Sequence, residues 1–272
     1  VNQRFLALLR FEVAAAYRGR TAVLFAAGFA AASVGVAIAG LAPGGSLAVQ
    51  GFARTSVSLL QLVLWVVPLA GLGIGALAGA ECHDLEFVAA LPLPRGRIVL
   101  ARWAAWTAVL GACLGVGFGA AGLVIAALAG AADAGRYAAL VGVAVLLAAA
   151  TLALGLWIGV AAKARLRAVA IATVVWVVLA VGADLAAIAT LAILPPRDAV
   201  GAMSLLLLAD PVDSARALGL GLFRADALAG PTGAALRRVL GGWGAAALTA
   251  GLIAWIVLPV AVAGRRFARS DL

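Results

Sequence analysis

The sequence predicts an all-α polytopic membrane protein with six transmembrane helices, and three observations predict it. Of 272 residues, 66% are hydrophobic and 11% charged, whereas a soluble domain carries roughly 45–50% apolar and about 25% charged residues. Six predominantly apolar runs of 21 residues or more meet the length, about 20 residues, that a helix needs to cross the hydrocarbon core. The charged residues stand in short clusters between those runs. The balance of 20 basic to 11 acidic residues gives +9. In a soluble domain that charge would suggest nucleic acid; here it sets orientation and meets the headgroups of the lipid bilayer, and no nucleic-acid partner is expected.

Residues 1–20 read as an amphipathic helix lying in the interface plane, with Phe5, Leu8, Leu9, Glu12, Val13 and Tyr17 at helical spacing and Arg4, Arg10, Arg18 and Arg20 between them. The expected spans are 21–41, 56–79, 103–129, 137–161, 168–194 and 240–263. The first is longer than the apolar core of a secretory signal and reads as a retained helix. Segments on the side of the N-terminal tail hold 13 of the 20 basic residues in 58 positions, against 7 in 66 on the other side. Short basic loops face the cytoplasm, so both termini are expected on the inner side of a bacterial cytoplasmic membrane, although Arg237 and Arg238 fall on the outer side. Pro68 and Pro259 should kink their spans, and Trp103, Trp106 and Trp243 sit where interfacial anchors would. Glycines at four-residue spacing (Gly71, Gly75, Gly79; Gly111, Gly115, Gly119; Gly155, Gly159) predict close helix packing.

Counting excludes several chemistries. Lys163 is the only lysine and lies between Ala162 and Ala164, so this chain has no Gly-Lys-Ser/Thr phosphate loop. A single histidine, His83, rules out a His-rich metal cage and an H-E-x-x-H zinc site. Cys82 and Cys113 are expected to be free thiols.

The segment 80–102 has the most informative order. Glu81, Asp84 and Glu86 come first, then an apolar ridge, then Leu91-Pro92-Leu93-Pro94, then Arg95 and Arg97 leading into the third span. A short rigid element between two spans is what carries force from a cytosolic partner into a membrane. Here the chain resembles the ABC-2 type permeases, in which an acid closes the second span, a Leu-Glu pair follows and a Leu-x-x-Pro-x-x-Arg stretch precedes the third. Glu81, Leu85-Glu86 and Leu91 to Arg95 match those elements, while His83-Asp84 stands where the family often has Gly-Thr. The resemblance implies a six-span subunit paired with a second copy, most simply a homodimer, and coupled through Glu81, Asp84, Leu85, Glu86, Leu91, Pro92, Pro94 and Arg95 to two separate cytosolic ATPases. It implies that ATP is bound by those partners, that this chain carries no cofactor and is not an enzyme, and that it exports a substrate or signals outward, with an accessory protein on the outer side as a further expectation.

Between the fifth and sixth spans, residues 195–239 are expected to form an external cap. The apolar stretch 199–209 is too short to span and suggests a re-entrant piece. Its continuation, Asp210-Pro211-Val212-Asp213-Ser214-Ala215-Arg216, is similar to the Asn-Pro-x-Asp-x-x-Arg stretch of the ABC-2 permeases that serve nitrous oxide reductase maturation, with Asp210 in place of Asn. The same residues support a rival, since Asp210, Asp213 and Asp226 superficially match the paired aspartates of CDP-alcohol phosphotransferases and could hold a divalent cation. That signature's glycine and second aspartate pair are missing, and a capped helix start with an Asp213–Arg216 pair is the simpler reading. A non-catalytic membrane assembly factor is the third class. Asp184 is the only acid placed within a span. It is expected to line a cavity or to hydrogen-bond a neighbouring threonine such as Thr151 or Thr190.

Overall fold

A computed structural model describes residues 2–41, 48–83, 94–130, 133–223 and 241–269. These residues are helical nearly throughout, and six helices are long and apolar enough to cross a membrane. The elements are α1 (Asn2–Arg18), α2 (Arg20–Leu41), α3 (Ala48–Ala80) with a 3-10 turn at Glu81–His83, α4 (Arg95–Ala129) and α5 (Ala134–Ala162). They continue with α6 (Arg165–Val177), a π-helical turn at Val178–Gly182, α7 (Ala183–Ile193), α8 (Pro196–Ala209), α9 (Pro211–Leu222) and, after a 3-10 turn at Gly241–Trp243, α10 (Gly244–Arg269). Pro68 and Pro259 both lie inside helices that continue through them.

The centre of the fold is the seam between α3 and α5. Lipid tails are as apolar as leucine, so helices in a membrane gain little from hydrophobic burial against one another, and close backbone approach drives association instead. The glycines of these two helices supply that approach. A Cβ on Gly155 would meet the Leu72 carbonyl oxygen, one on Gly159 the Ala76 carbonyl, and one on Gly75 the Leu152 carbonyl. Thr151, opposite Gly71, turns its hydroxyl inward and donates to the Leu147 carbonyl of its own helix at 2.9 Å. Trp176 of α6 closes one flank of the seam, donating to the Trp65 carbonyl at 3.2 Å and packing edge-on against that ring.

The second glycine series departs from expectation. Gly115 and Gly119 face open space, and Gly111 meets only the methyls of Val145. The close contacts of α4 fall instead at Gly117, which lies against the Phe29 ring of α2, and at Gly122, against Tyr137. Periodic spacing finds a small-residue face but does not say what faces it. Trp103 likewise is a packing residue, because its indole donates to the Ala149 carbonyl of α5 at 3.0 Å, whereas Trp243 is 78% exposed.

Two further departures bear on the site. The helix expected to begin at 103 starts at Arg95, directly after Pro94, whose extended backbone (φ −56°, ψ 129°) suits a residue preceding a helix. Arg97 and Arg102 therefore lie on a helix. The fifth span, expected as one helix over 168–194, is α6 and α7 joined through the π-helical turn, a local widening common at functional sites.

Candidate functional site

On α1, Leu8, Glu12 and Ala16 fall on one face at four-residue spacing, and all three are buried. Tyr17, expected on that face, is 67% exposed. The buried face packs against α4, and Leu8 joins Ile98, Val99 and Ala101 of α4, Cys82 beyond α3, and Ala263 and Phe267 of α10. An acid inside such a cluster requires a partner, since an isolated buried charge is costly. Arg102 supplies it. Its Nε donates to Glu12 Oε2 at 3.2 Å, and its Nη1 donates to the Ala78 carbonyl at 2.9 Å and to Cys82 Sγ at 3.4 Å.

One guanidinium thus joins the N-terminal helix, the end of α3 and the start of α4. Both carboxylate and guanidinium side chains are under a tenth exposed. Burial pushes the Cys82 thiol up against the pull of Arg102, so the sulfur stays protonated. Beside this cluster Glu81, in the 3-10 turn, pairs loosely with Arg165 of α6 at 3.8 Å, both side chains being well exposed. Pro94 is exposed, and its carbonyl accepts from the Arg97 amide at 2.8 Å. Arg95 opens α4. Asp84, Leu85, Glu86, Leu91 and Pro92 lie outside the described residues. The cluster therefore fixes the two ends between which those residues run.

The expected cap builds a second polar cluster. Asp210 breaks the chain between α8 and α9, and its Oδ1 accepts from the amides of Val212 at 2.7 Å and Asp213 at 3.3 Å. Pro211 takes the first helical position, where a missing N–H costs nothing. Ser214 Oγ donates back to the Leu207 carbonyl at 2.7 Å, fixing the α8–α9 elbow. Arg216 Nη1 donates to Asp213 Oδ1 at 2.9 Å and to Asp184 Oδ1 at 3.0 Å. Asp184, just past the π-helical turn, is thus partnered by Arg216; Thr151 and Thr190 give their hydroxyls to carbonyls of their own helices.

Asp184 and Arg216 share a cleft of about 360 Å³ with Val57, Leu60, Gln61 and Leu220. Burial first, and Asp213 second, push the Asp210 carboxyl up to about 7. Burial also raises Asp213, against the pull of Arg216. Val212, Ala215 and Leu220 belong to the central apolar cluster with Leu59 and Leu60 of α3, and a Cβ on Gly219 would strike the Leu60 methyls. The α9 helix is therefore built into the bundle. The carboxylates of Asp210 and Asp213 are spent on a helix cap and an ion pair, which leaves the rival metal reading without ready ligands; Asp226 lies outside the described residues.

Sequence reasoning brought Asp210, Asp213 and Arg216 together but missed Arg102. Its assignment to a loop hid it, and the signals that could have found it were the proline stop at Pro94 and the acid at Glu12 inside an apolar stripe.

Residues 73–272 match the family described as ABC-2 family transporter protein. That stretch contains the end of α3, the segment after it and the whole of α4 to α10, and leaves α1 outside. The chain is also 32% identical over 124 residues to a protein of Stutzerimonas stutzeri named "Probable ABC transporter permease protein NosY". That alignment covers 44% of this chain and 45% of the relative, so the chain matches less than half of the relative's length.

Proposed function

This chain belongs to the ABC-2 transporter family, and on that premise we propose that it is a permease subunit driven by separate cytosolic ATPases through the segment 81–95. The observation that carries the reading is the Glu12–Arg102 pair and its contacts with Ala78 and Cys82. A segment that transmits force needs both of its ends tied to elements that move together. Arg102 ties them to each other and to α1, in a buried site where small displacements are passed on as rigid-body shifts instead of being absorbed.

In this reading Glu81, Asp84, Leu85, Glu86, Leu91, Pro92, Pro94 and Arg95 meet the ATPase surface. ATP is held by two such partners and none by this chain, which performs no hydrolysis. Two permease copies form the conduit in the bacterial cytoplasmic membrane, with both termini inside. The differential affinity of the ATPases for ATP drives the change, as a ligand shifts an equilibrium only by its preference for one state. On the opposite side α8 and α9, with Asp184 and Arg216 in their cleft, shape the exit and meet an outer accessory protein. The likeness of the 205–216 stretch to nitrous oxide reductase maturation permeases makes that branch the proposed one.

The test is the complex purified with its ATPase and reconstituted in bilayers. Glu86→Arg should abolish substrate-stimulated ATP hydrolysis while leaving the folded permease intact by thermal unfolding. Stimulation at the wild-type level in that variant would refute the assignment of 81–95.

A further inference from the structure

An apolar groove of about 340 Å³ runs between the end of α5, the start of α6 and the last turn of α10. Leu154 and Ile158 of α5 and Ile171 and Val175 of α6 line its depth. Its mouth has different chemistry. Arg167, in the first turn of α6, and Arg266, in the last turn of α10, reach the groove from elements a hundred residues apart. Both arginines are exposed, and among the described residues no carboxylate lines the groove and neither arginine forms an ion pair. Trp157 lines the wall, and its indole N–H is buried with no hydrogen-bond partner among the described residues.

The dimensions are those of one lipid leaflet. From Ala162 back to Leu154, and from Arg167 on to Val175, each helix rises through eight residue steps, about 12 Å at 1.5 Å per residue. Half of a hydrocarbon core is about 15 Å. We propose that this groove seats one anionic phospholipid, its phosphate between Arg167 and Arg266 and an acyl chain along Leu154, Ile158, Ile171 and Val175. Two guanidiniums lining one groove suit a phosphate, which planar N–H forks bind in pairs. Among the described residues no carboxylate lines the groove to meet the ammonium of a zwitterionic headgroup. A second copy of the chain is a poorer occupant, because the same level of α10 carries Arg265 and Arg269 and would bring like charge to like. Seated there, the lipid bridges α6 to α10.

Native mass spectrometry of the full chain tests this, with phosphatidylglycerol and phosphatidylcholine of identical acyl chains added to the detergent. Retention of one phosphatidylglycerol per chain in preference to phosphatidylcholine is expected. The double variant Arg167→Gln/Arg266→Gln should lower it on the order of twenty-fold, each basic residue near a membrane surface contributing about a factor of five. The control Arg136→Gln, at the other membrane face, should stay within twofold. Ile158→Trp, which fills the groove and keeps both arginines, should also release the lipid. Equal retention of the two lipids, retention unchanged in the double arginine variant, or phosphatidylglycerol still held in a folded Ile158→Trp protein would each overturn the proposal. So would concentration-dependent dimerisation that Ile158→Trp abolishes without any change in bound lipid.

Discussion

The Arg102 and Glu12 side chains are 7% and 6% exposed, and Arg102 reaches groups on three separate elements. The Arg216 side chain is 25% exposed, and it reaches one carboxylate on its own helix and a second, on Asp184, that is 58% exposed. Both clusters have an arginine at their centre and acids around it, yet they do different work. Around Arg102 the environment is dry and the contacts are distant in sequence, so the cluster joins α1, α3 and α4 into one body. Around Arg216 one contact is local and the site opens on a cleft, so the cluster can exchange partners. The first arrangement suits the fixed end of a relay and the second suits a surface that responds.

Removing the dry arginine should have the largest effect. Arg102→Met leaves Glu12 buried without its partner, and loss of one member of a buried pair costs about 3–5 kcal/mol. Denaturant unfolding in detergent should report that loss. The double variant Glu12→Leu/Arg102→Met should recover most of it, because no charge is then left stranded. A single variant as stable as the wild type would erase the distinction between the two clusters.

The next largest effect is pH dependence in the cap. Asp210 has its carboxyl pushed from the usual carboxylate value to about 7 by burial, so the folded state holds the proton more tightly than the unfolded chain. A raised acid contributes stability that is present in full below about pH 4 and is lost as pH rises through about 7. The contribution is at most about 4 kcal/mol. Unfolding followed between pH 5 and pH 8 should show the fall, and Asp210→Asn, which keeps a capping oxygen, should flatten it. A slope unchanged in Asp210→Asn would assign the titration elsewhere.

Smaller effects separate the partners of Arg216. Arg216→Leu strands Asp213, whose side chain is only 11% exposed, and should cost about 1–3 kcal/mol, the usual penalty for an orphaned buried polar group. Asp184→Asn removes the outward half of the same network. It should cost under about 1 kcal/mol, as exposed pairs do, while changing transport more than stability. Equal destabilisation by the two variants, read from paired thermal unfolding curves, would mean that Asp184 is structural.

The α8–α9 elbow was legible because its signals are local. Asp210, Pro211, Asp213 and Arg216 lie within seven residues, and helix capping and an i,i+3 pair follow from sequence spacing alone. The six membrane helices were legible for the same reason, since each apolar run is its own evidence. Glu12 and Arg102 were not, because they are ninety residues apart and Arg102 was counted with a loop. The α4 helix begins at Arg95, eight residues before the expected start, because Arg95, Arg97 and Arg102 interrupt the apolar run there. The glycines give the same lesson. Gly75 and Gly155 meet backbone across the α3–α5 seam while Gly115 and Gly119 meet nothing, although the spacing is the same in each series.

We propose that the segment 81–95, held at Arg102, docks a separate ATPase. The most direct test is native mass spectrometry of the tagged chain, purified gently from its own host in the presence and absence of ATP. The account predicts two copies of this chain with two copies of a nucleotide-binding subunit, in an assembly that Glu86→Arg disrupts without unfolding the permease. Recovery of the chain with no ATPase, even after cross-linking in the intact membrane, would contradict it.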